Sequence, residues 1–175
     1  MFGFKLKSPK ISFPAQLVTK DIMVAAGLTV VNNYKLRLNE GKGVKDGTVI
    51  KLKPLSEITK RNRGEDAIPL VDKGLMKDSF RVDTSQSTDK KATMNFPPNE
   101  AFKAGVHQKG ITIYPKNAKM LRVPFGGEFL FLKKVTIPSR PHVGFSEKDV
   151  ADALKMINTK VLTGVNEGIR IEKLT

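Results

Sequence analysis

The sequence predicts an α+β fold, in which a long N-terminal helix and a C-terminal helix pack on a mainly antiparallel sheet with a long hairpin and extended loops. Three observations support this class. Apolar residues recur at helical spacing early in the chain and again after residue 146. Short apolar runs of strand type lie between them, separated by Gly and Pro turns. The chain has 175 residues, enough for one domain with a sizeable core.

The predicted organisation has three parts. We expect a basic arm over residues 1–13, a single α+β domain over residues 14–162, and a C-terminal tail or last edge strand over residues 163–175. An exposed strand of the last kind can pair with a neighbouring subunit.

The first helix is predicted to open near Pro14, because proline suits the first helical position, and to run to about Glu40. Its apolar face consists of Val24, Leu28, Val31, Tyr34 and Leu38. Gly41 and Gly43 are expected to end it. The glycines and lysines of residues 41–47 lack the GxxxxGK[ST] order and follow no strand, so we interpret them as a basic turn rather than a phosphate-binding loop.

The middle of the chain is predicted to alternate turns with short strands. Residues 80–82 and 92–96 indicate two short strands. Residues 95–99 are predicted as a turn, and residues 111–114 as a strand.

The long hairpin is predicted from Gly126-Gly127, since glycine accepts the positive φ of a tight turn. It joins strands over residues 121–125 and 128–137. The first half of the second strand is apolar on both faces, which predicts a strand buried centrally or packed in an assembly.

Residues 137–149 connect this strand to the last helix. Pro138 and Pro141 end the strand pairing, because proline has no N–H to donate. Ser146 is the predicted N-cap of the helix, with acidic residues in its first turn. Arg140 is held between the two prolines, where it is either a solvated side chain of a connector or a cation aimed at a specific contact.

The last helix is predicted to run from Ser146 to about Leu162. The side chains of its inner face are Val150, Leu154, Ile157 and Val161.

Composition excludes several classes of function. The chain has no cysteine, which excludes disulfides, thiolate metal sites and a cysteine nucleophile. No apolar run is long enough to span a bilayer, and no secretory signal is present, so we expect no membrane partner and a protein kept in the cytoplasm where it is made.

The net charge of +14 permits contact with nucleic acid or an acidic protein surface. Residues 1–63 contribute about +9 of it, from 13 Lys and Arg against four acidic residues. The candidate contacts to an acidic partner or DNA are Lys5, Lys7, Lys10, Lys42, Lys45, Lys60, Arg61 and Arg63. For each, a merely solvated side chain is an equal alternative.

The sequence carries none of the common catalytic patterns. The sequence contains no G-x-S-x-G, H-E-x-x-H, P-loop or dinucleotide motif. His107 and His142 are the two histidines, and neither has a carboxylate at ligand spacing. We therefore expect a non-enzymatic protein with no cofactor and no metal, and we interpret His107 as a structural residue in a turn.

Several ordered segments carry a resemblance to a known family. Residues 137–141 (Ile-Pro-Ser-Arg-Pro), followed by Gly144 and an acidic helix start, are similar to the signature of the phage virion morphogenesis family, the Mu-like tail completion or head–tail connector proteins. Residues 106–110 resemble its "HQ.G" turn. Residues 46–60 resemble its "DG…PLS…T…K" segment, although Ile50 stands where an aromatic residue is common. Residues 68–80 resemble its "PL…TG.L..S" segment, with Lys73 in place of the usual Thr, and this resemblance implies a turn and a short helix that lead into a strand.

A further "PK.AK.L" element, found in long members of the family, is similar to residues 116–121. The matched segments together cover roughly residues 15–160. The family-motif residues with an architectural role by this resemblance are His107, Gln108, Gly110, Ile137, Pro138, Arg140, Pro141 and Gly144.

The resemblance implies a tail completion or neck protein of a tailed phage, without enzymatic activity. Such proteins typically form a ring, often of six subunits, at the head-proximal end of the tail. The implied partners are further copies of the chain, the tail tube or terminator, neck or connector proteins, and packaged DNA in the channel. The implied location is the virion, assembled in the cytoplasm of the host bacterium. The alternative from another class is a basic nucleic-acid-binding protein outside any virion, with a steep salt dependence of binding.

Overall fold

The computed structural model describes residues 17–172, and the side chains of residues 17–164. The helices are α1 (Lys20–Asn39), α2 (Glu57–Arg63), α3 (Leu75–Ser79), α4 (Pro98–Lys109) and α5 (Glu147–Glu172). The strands are β1 (Lys42–Lys45), β2 (Thr48–Lys51), β3 (Arg81–Val82), β4 (Met94–Asn95), β5 (Ile111–Ile113), β6 (Leu121–Phe125), β7 (Glu128–Leu132) and β8 (Val135–Ile137). The predicted α+β class is confirmed, with a long helix near each end and short antiparallel strands between them.

Helix α1 begins later than the sequence predicts. Thr19 is its N-cap, and the Thr19 hydroxyl accepts a hydrogen bond from the backbone N–H of Ile22 at 3.4 Å. Residues 17–19 are not helical, so the helix does not extend back to Pro14, which itself lies outside the described residues together with the predicted basic arm. At the other end Gly41, with φ of +66°, turns the chain into β1.

The core lies on two sides of α1. Near its start, Val18 and Ala26 pack against Ile157 of α5. Further along, Tyr34 and Leu38 pack against Phe80, with Tyr34 and Phe80 ring centroids 4.6 Å apart. Leu28, predicted on the apolar face, is instead 49% exposed. Each fully buried side chain of this size contributes about 1.5–3 kcal/mol, so the Tyr34 cluster fixes α1 on the strand region.

The predicted single sheet is replaced by small ribbons. Within residues 17–172 the strands pair as β1–β2, β3–β4, β5–β8 and β6–β7, all antiparallel and two-stranded. The strands are two to five residues long, too short to support a broad sheet. The predicted short strands near residues 80–82 and 92–96 are confirmed as β3 and β4.

Residues 41–51 form a hairpin where the sequence analysis expected only a basic turn. Asp46 and Gly47 occupy its two-residue loop with φ of +51° and +81°. Both angles are positive, as a primed hairpin turn requires, and Asp-Gly is a favoured pair for it.

Helix α4 replaces the predicted turns around residues 95–99 and 106–110. Pro98 occupies the first helical position, Glu100 lies in the first turn, and Gly110 follows the last residue with φ of +75°. His107 and Gln108 therefore belong to the last turn of a helix rather than to a loop.

The Gly126-Gly127 hairpin is confirmed, but its second strand is shorter than predicted. Strand β7 ends at Leu132, opposite Leu121, and Val135 begins β8, which pairs with β5. The chain changes partner at Lys133 and Lys134. Strand β7 is not buried centrally, because alternate residues along it are exposed.

Helix α5 is longer than predicted. It continues past Leu162 to Glu172, so no tail or edge strand begins at residue 163; only residues 173–175 of that segment lie outside the described chain. Gly164 and Gly168 fall within the helix. A glycine in a helix interior costs about 1 kcal/mol relative to alanine, which is too little by itself to end a helix.

A search of the described helices for a long apolar stretch found none able to cross a membrane.

Candidate functional site

Two of the segments that carry the resemblance meet at one junction. The end of α4 lies against residues 139–144, the link between β8 and α5. We call this contact the α4–link junction. The "HQ.G" segment and the "IPSRP" segment are about thirty residues apart in sequence and touch here.

The Gln108 side chain makes three hydrogen bonds across the junction. Its side-chain oxygen accepts hydrogen bonds from the backbone N–H groups of His142 at 2.9 Å and Val143 at 3.0 Å. Its side-chain nitrogen donates to the Val143 carbonyl at 3.2 Å. One amide thus satisfies three backbone groups of a link that has no regular partner strand.

The α4 backbone adds two further hydrogen bonds. The His107 carbonyl accepts from the Arg140 N–H at 2.7 Å, and the Gln108 carbonyl accepts from the Ser139 hydroxyl at 2.8 Å. Gly110 allows this approach, because a Cβ there would lie 2.6 Å from the Ser139 nitrogen. Ile137 of β8 pairs with Ile111 of β5, and Pro138 follows directly after the end of β8.

Arg140 points into the molecule. The residue is 4% exposed, its Nε donates to the Lys53 carbonyl at 2.8 Å, and its guanidinium donates to the Pro54 carbonyl at 2.7 Å. Burial lowers the pKa of Arg140, since it removes water from the charged form. The solvated alternative is therefore wrong, and the aimed contact is with the loop between β2 and α2 of the same chain.

The far end of the link packs against β1. A Cβ on Gly43 would lie 1.9 Å from the Pro141 carbonyl oxygen, so only glycine fits there. Gly144 is half-buried beside Val44, and its carbonyl accepts from the Arg37 guanidinium at 3.3 Å. No local pattern of residues indicates the close approach at Gly43.

A buried ion pair holds the start of α5. Arg37 of α1 donates from one nitrogen to both Asp149 carboxylate oxygens, at 2.5 and 2.6 Å. Asp149 is fully buried, and it also accepts from the Ser146 N–H at 2.8 Å while the Ser146 hydroxyl accepts from the Asp149 N–H at 3.2 Å. This reciprocal cap confirms Ser146 as the N-cap. The pairing was missed, although an arginine beside Leu38 in an apolar helix stripe signals a buried partner.

The surroundings of both histidines lower their pKa values. Burial, and then the charge of Arg140, lower the pKa of His107. Burial lowers the pKa of His142 to about 4. The hydrogen bond between its ring and the Arg140 carbonyl raises this pKa, and repulsion from a protonated His107 lowers it further. The His142 Nδ1 lies 3.0 Å from that carbonyl oxygen. No group of three His, Cys, Asp or Glu residues able to hold a metal occurs in the described part of the chain.

A cleft of about 700 Å³ borders the junction. His107, Ile137, Pro138 and Arg140 contribute to its wall, together with Glu100 and other residues of α2, α3 and α4. Its lining is mixed, because it includes the apolar strand residues Val135 and Ile137 and the charged helix residues Arg63, Glu100 and Lys103.

Those of the predicted basic contacts that lie in the described residues belong to two elements, β1 and α2. Lys42 and Lys45 are exposed on β1, and Lys42 pairs with Glu40 at 2.8 Å. Lys60 pairs with Glu57 and Glu65, and its hydrogen bond with Glu57 raises its pKa.

The two arginines of α2 have partners within the chain. Arg63 pairs with Asp72 at 3.2 Å, and the Arg61 guanidinium lies 4.7 Å from the centroid of the Phe125 ring. Lys5, Lys7 and Lys10 lie outside the described residues.

Comparison with known proteins found no relatives: no protein-family model, no curated protein and no solved structure matches this chain. The family resemblance therefore stays a prediction that rests on the matched segments of sequence.

Proposed function

We propose that the chain is a non-enzymatic structural protein of a tailed-phage virion, a tail completion or neck protein that forms a ring at the head-proximal end of the tail and joins tail to head. Its partners in this proposal are further copies of the chain, tail tube or terminator proteins, neck or connector proteins, and packaged DNA in the channel. Its location is the virion, after assembly in the host cytoplasm.

The observation that carries the proposal is the α4–link junction. Two segments of the resemblance, "HQ.G" and "IPSRP", are packed together there through the Gln108 side chain, the close approach at Gly110 and the hydrogen bond from the Arg140 N–H to the His107 carbonyl. The Gln108 and Arg140 side chains bond backbone groups of their own chain, which supports a structural role. The junction fixes α5 and the β5–β8 ribbon at a set angle, as rigid subunits of a ring need.

The β5–β8 ribbon is a suitable contact between copies. Each of its strands pairs along one edge only within the described residues. Ile111 and Ile113 are 45% and 40% exposed, and they share one face with Ile137 and Val135, their partners in the ladder. A strand edge beside apolar side chains can pair with a neighbouring chain, and a head-to-tail contact of this kind closes into a ring when the rotation allows.

The assembly step can be tested with purified protein. The proposal predicts closed rings in negative-stain electron microscopy, with a mass that is a multiple of 19.3 kDa in light scattering. Ile111→Glu with Ile113→Glu should leave monomers, because it places carboxylates in the contact. Leu36→Glu, at a 61% exposed position on α1, is the matched control and should still form rings. A parent protein that stays monomeric at about 100 µM, where standard interfaces associate, would oppose self-assembly.

The second candidate is a basic nucleic-acid-binding protein outside any virion. It is favoured by the exposed lysines of the β1–β2 hairpin, Lys42, Lys45 and Lys51, in a chain of net charge +14. It predicts tight binding to free DNA or RNA with a steep salt dependence. Binding that persists without any ring or virion phenotype would favour it.

A further inference from the structure

The β6–β7 hairpin has two different faces. Ladder partners share a face, so Arg122 and Phe131 lie together, as do Pro124 and Phe129. These four residues are exposed and form what we call the outer hairpin face. The opposite face consists of half-buried apolar residues: Leu121, Val123, Phe125, Leu130 and Leu132.

The hairpin is held firmly by α2. The Asn62 side chain donates to the Pro124 carbonyl at 2.8 Å and accepts from the Gly126 N–H at 2.9 Å. The Arg61 guanidinium lies over the Phe125 ring. These contacts fix the turn end of the hairpin and leave the outer hairpin face open to solvent.

The outer hairpin face presents flat groups suited to stacking. Phe131 is 63% exposed and Phe129 is 46% exposed. They are two residues apart in one strand, which separates them by about 7 Å. The Arg122 guanidinium lies 3.5 Å from the Phe129 ring centroid, so this ring is already capped by a planar cation. The Phe131 ring is the more open of the two.

Positive charge surrounds these rings. Residues 116–134 carry five basic residues against one acidic residue, Glu128, a formal charge of +4. Lys116 and Lys119 precede β6, and Lys133 and Lys134 follow β7, so all four lie toward the open end of the hairpin; all are exposed. None of these lysines is in an ion pair within the described part of the chain.

We propose that the outer hairpin face binds single-stranded nucleic acid. In this arrangement a base stacks on Phe131, a neighbouring base stacks on the Phe129–Arg122 pair, and the lysines at the open end bind phosphates. Duplex bases are not available for stacking, so the face selects unpaired strands. A second copy of this basic chain fits less well, because it would bring like charges together. The proposal goes beyond the virion role and does not depend on it.

The test is fluorescence anisotropy with a labelled oligothymidine of about 15 nucleotides and a duplex of equal length. We expect tighter binding to the single strand, and a logarithmic affinity that falls linearly with the logarithm of salt concentration. Phe131→Ala should weaken binding by about 5- to 150-fold, the range for loss of one stacked base. Phe102→Ala is the matched control, since Phe102 is 62% exposed on α4.

Phe131→Leu separates stacking from simple apolar contact. Leucine keeps most of the apolar surface but has no flat ring, so single-strand affinity should fall nearly as far as in Phe131→Ala. Circular dichroism should show unchanged helix content in every variant, because the ring is exposed. The proposal is overturned if the parent protein does not bind the single strand, if duplex binds equally well, or if Phe131→Leu binds like the parent. Loss of self-association in Phe131→Ala with no strand binding would assign the face to a second copy instead.

Discussion

Replacing Gln108 by alanine removes three hydrogen bonds of the α4–link junction without changing any charge. The side chain satisfies the N–H groups of His142 and Val143 and the carbonyl of Val143. An unsatisfied buried backbone group costs about 1–3 kcal/mol. His142 is fully buried but Val143 is half-buried, so water can reach some of these groups. We expect a loss of about 2–4 kcal/mol in the free energy of unfolding, a large part of the 5–15 kcal/mol typical of a domain.

The assay is urea unfolding followed by far-ultraviolet circular dichroism, since two long helices dominate the described part of the chain and the sequence has no tryptophan. Gln108→Glu keeps the acceptor oxygen for both N–H groups and should retain more stability than Gln108→Ala at a pH where the carboxylate is ionised. Gln86→Ala, at an exposed residue, is the matched control and should change stability by less than about 0.5 kcal/mol. A Gln108→Ala midpoint equal to that of the control would refute the junction as a structural element.

Three further perturbations follow from buried groups. The pKa of His142 is about 4 in the folded chain and 6.5 ordinarily, so the unfolded chain binds a proton first as pH falls. The free energy of unfolding should therefore fall by about 3 kcal/mol as pH drops from 6.5 to 4. His142→Phe should flatten that slope in urea titrations. Asp149→Asn leaves the buried Arg37 charge without its partner and should lower the free energy of unfolding by about 3–5 kcal/mol in urea. Adding Arg37→Met should recover part of this loss. Full stability of the single variant would contradict the buried pair. Gly43→Ala forces a methyl group against the link backbone and should cost about 1–3 kcal/mol or more in thermal unfolding, whereas Gly164→Ala, in open space on α5, should stabilise the helix by up to about 1 kcal/mol.

Local patterns predicted much of the fold. Ser146 with Asp149 marked the start of α5, and Gly126-Gly127 marked the β6–β7 turn, because caps and tight turns depend on residues adjacent in sequence. Asp46-Gly47 is an equally local signal for a hairpin turn, and Pro98 is one for the start of α4, although neither element was predicted.

Long-range contacts could not be predicted in the same way. The partner of Arg140 is a pair of backbone carbonyls almost ninety residues away, and backbone carbonyls leave no mark in a sequence. The predicted single sheet does not form in the described residues, because the pairing of strand edges depends on where the helices place each short strand. The end of α5 was predicted too early, near Leu162. Gly164 weakens a helix only slightly, so the helix continues past it.

Electron microscopy of a lysate from a phage that lacks this gene tests the proposed function most directly. The account predicts full heads beside unattached or abnormal tails, restored to joined virions when the parent gene is supplied from a plasmid. Normal joined virions in the deletion lysate would contradict a tail completion or neck role.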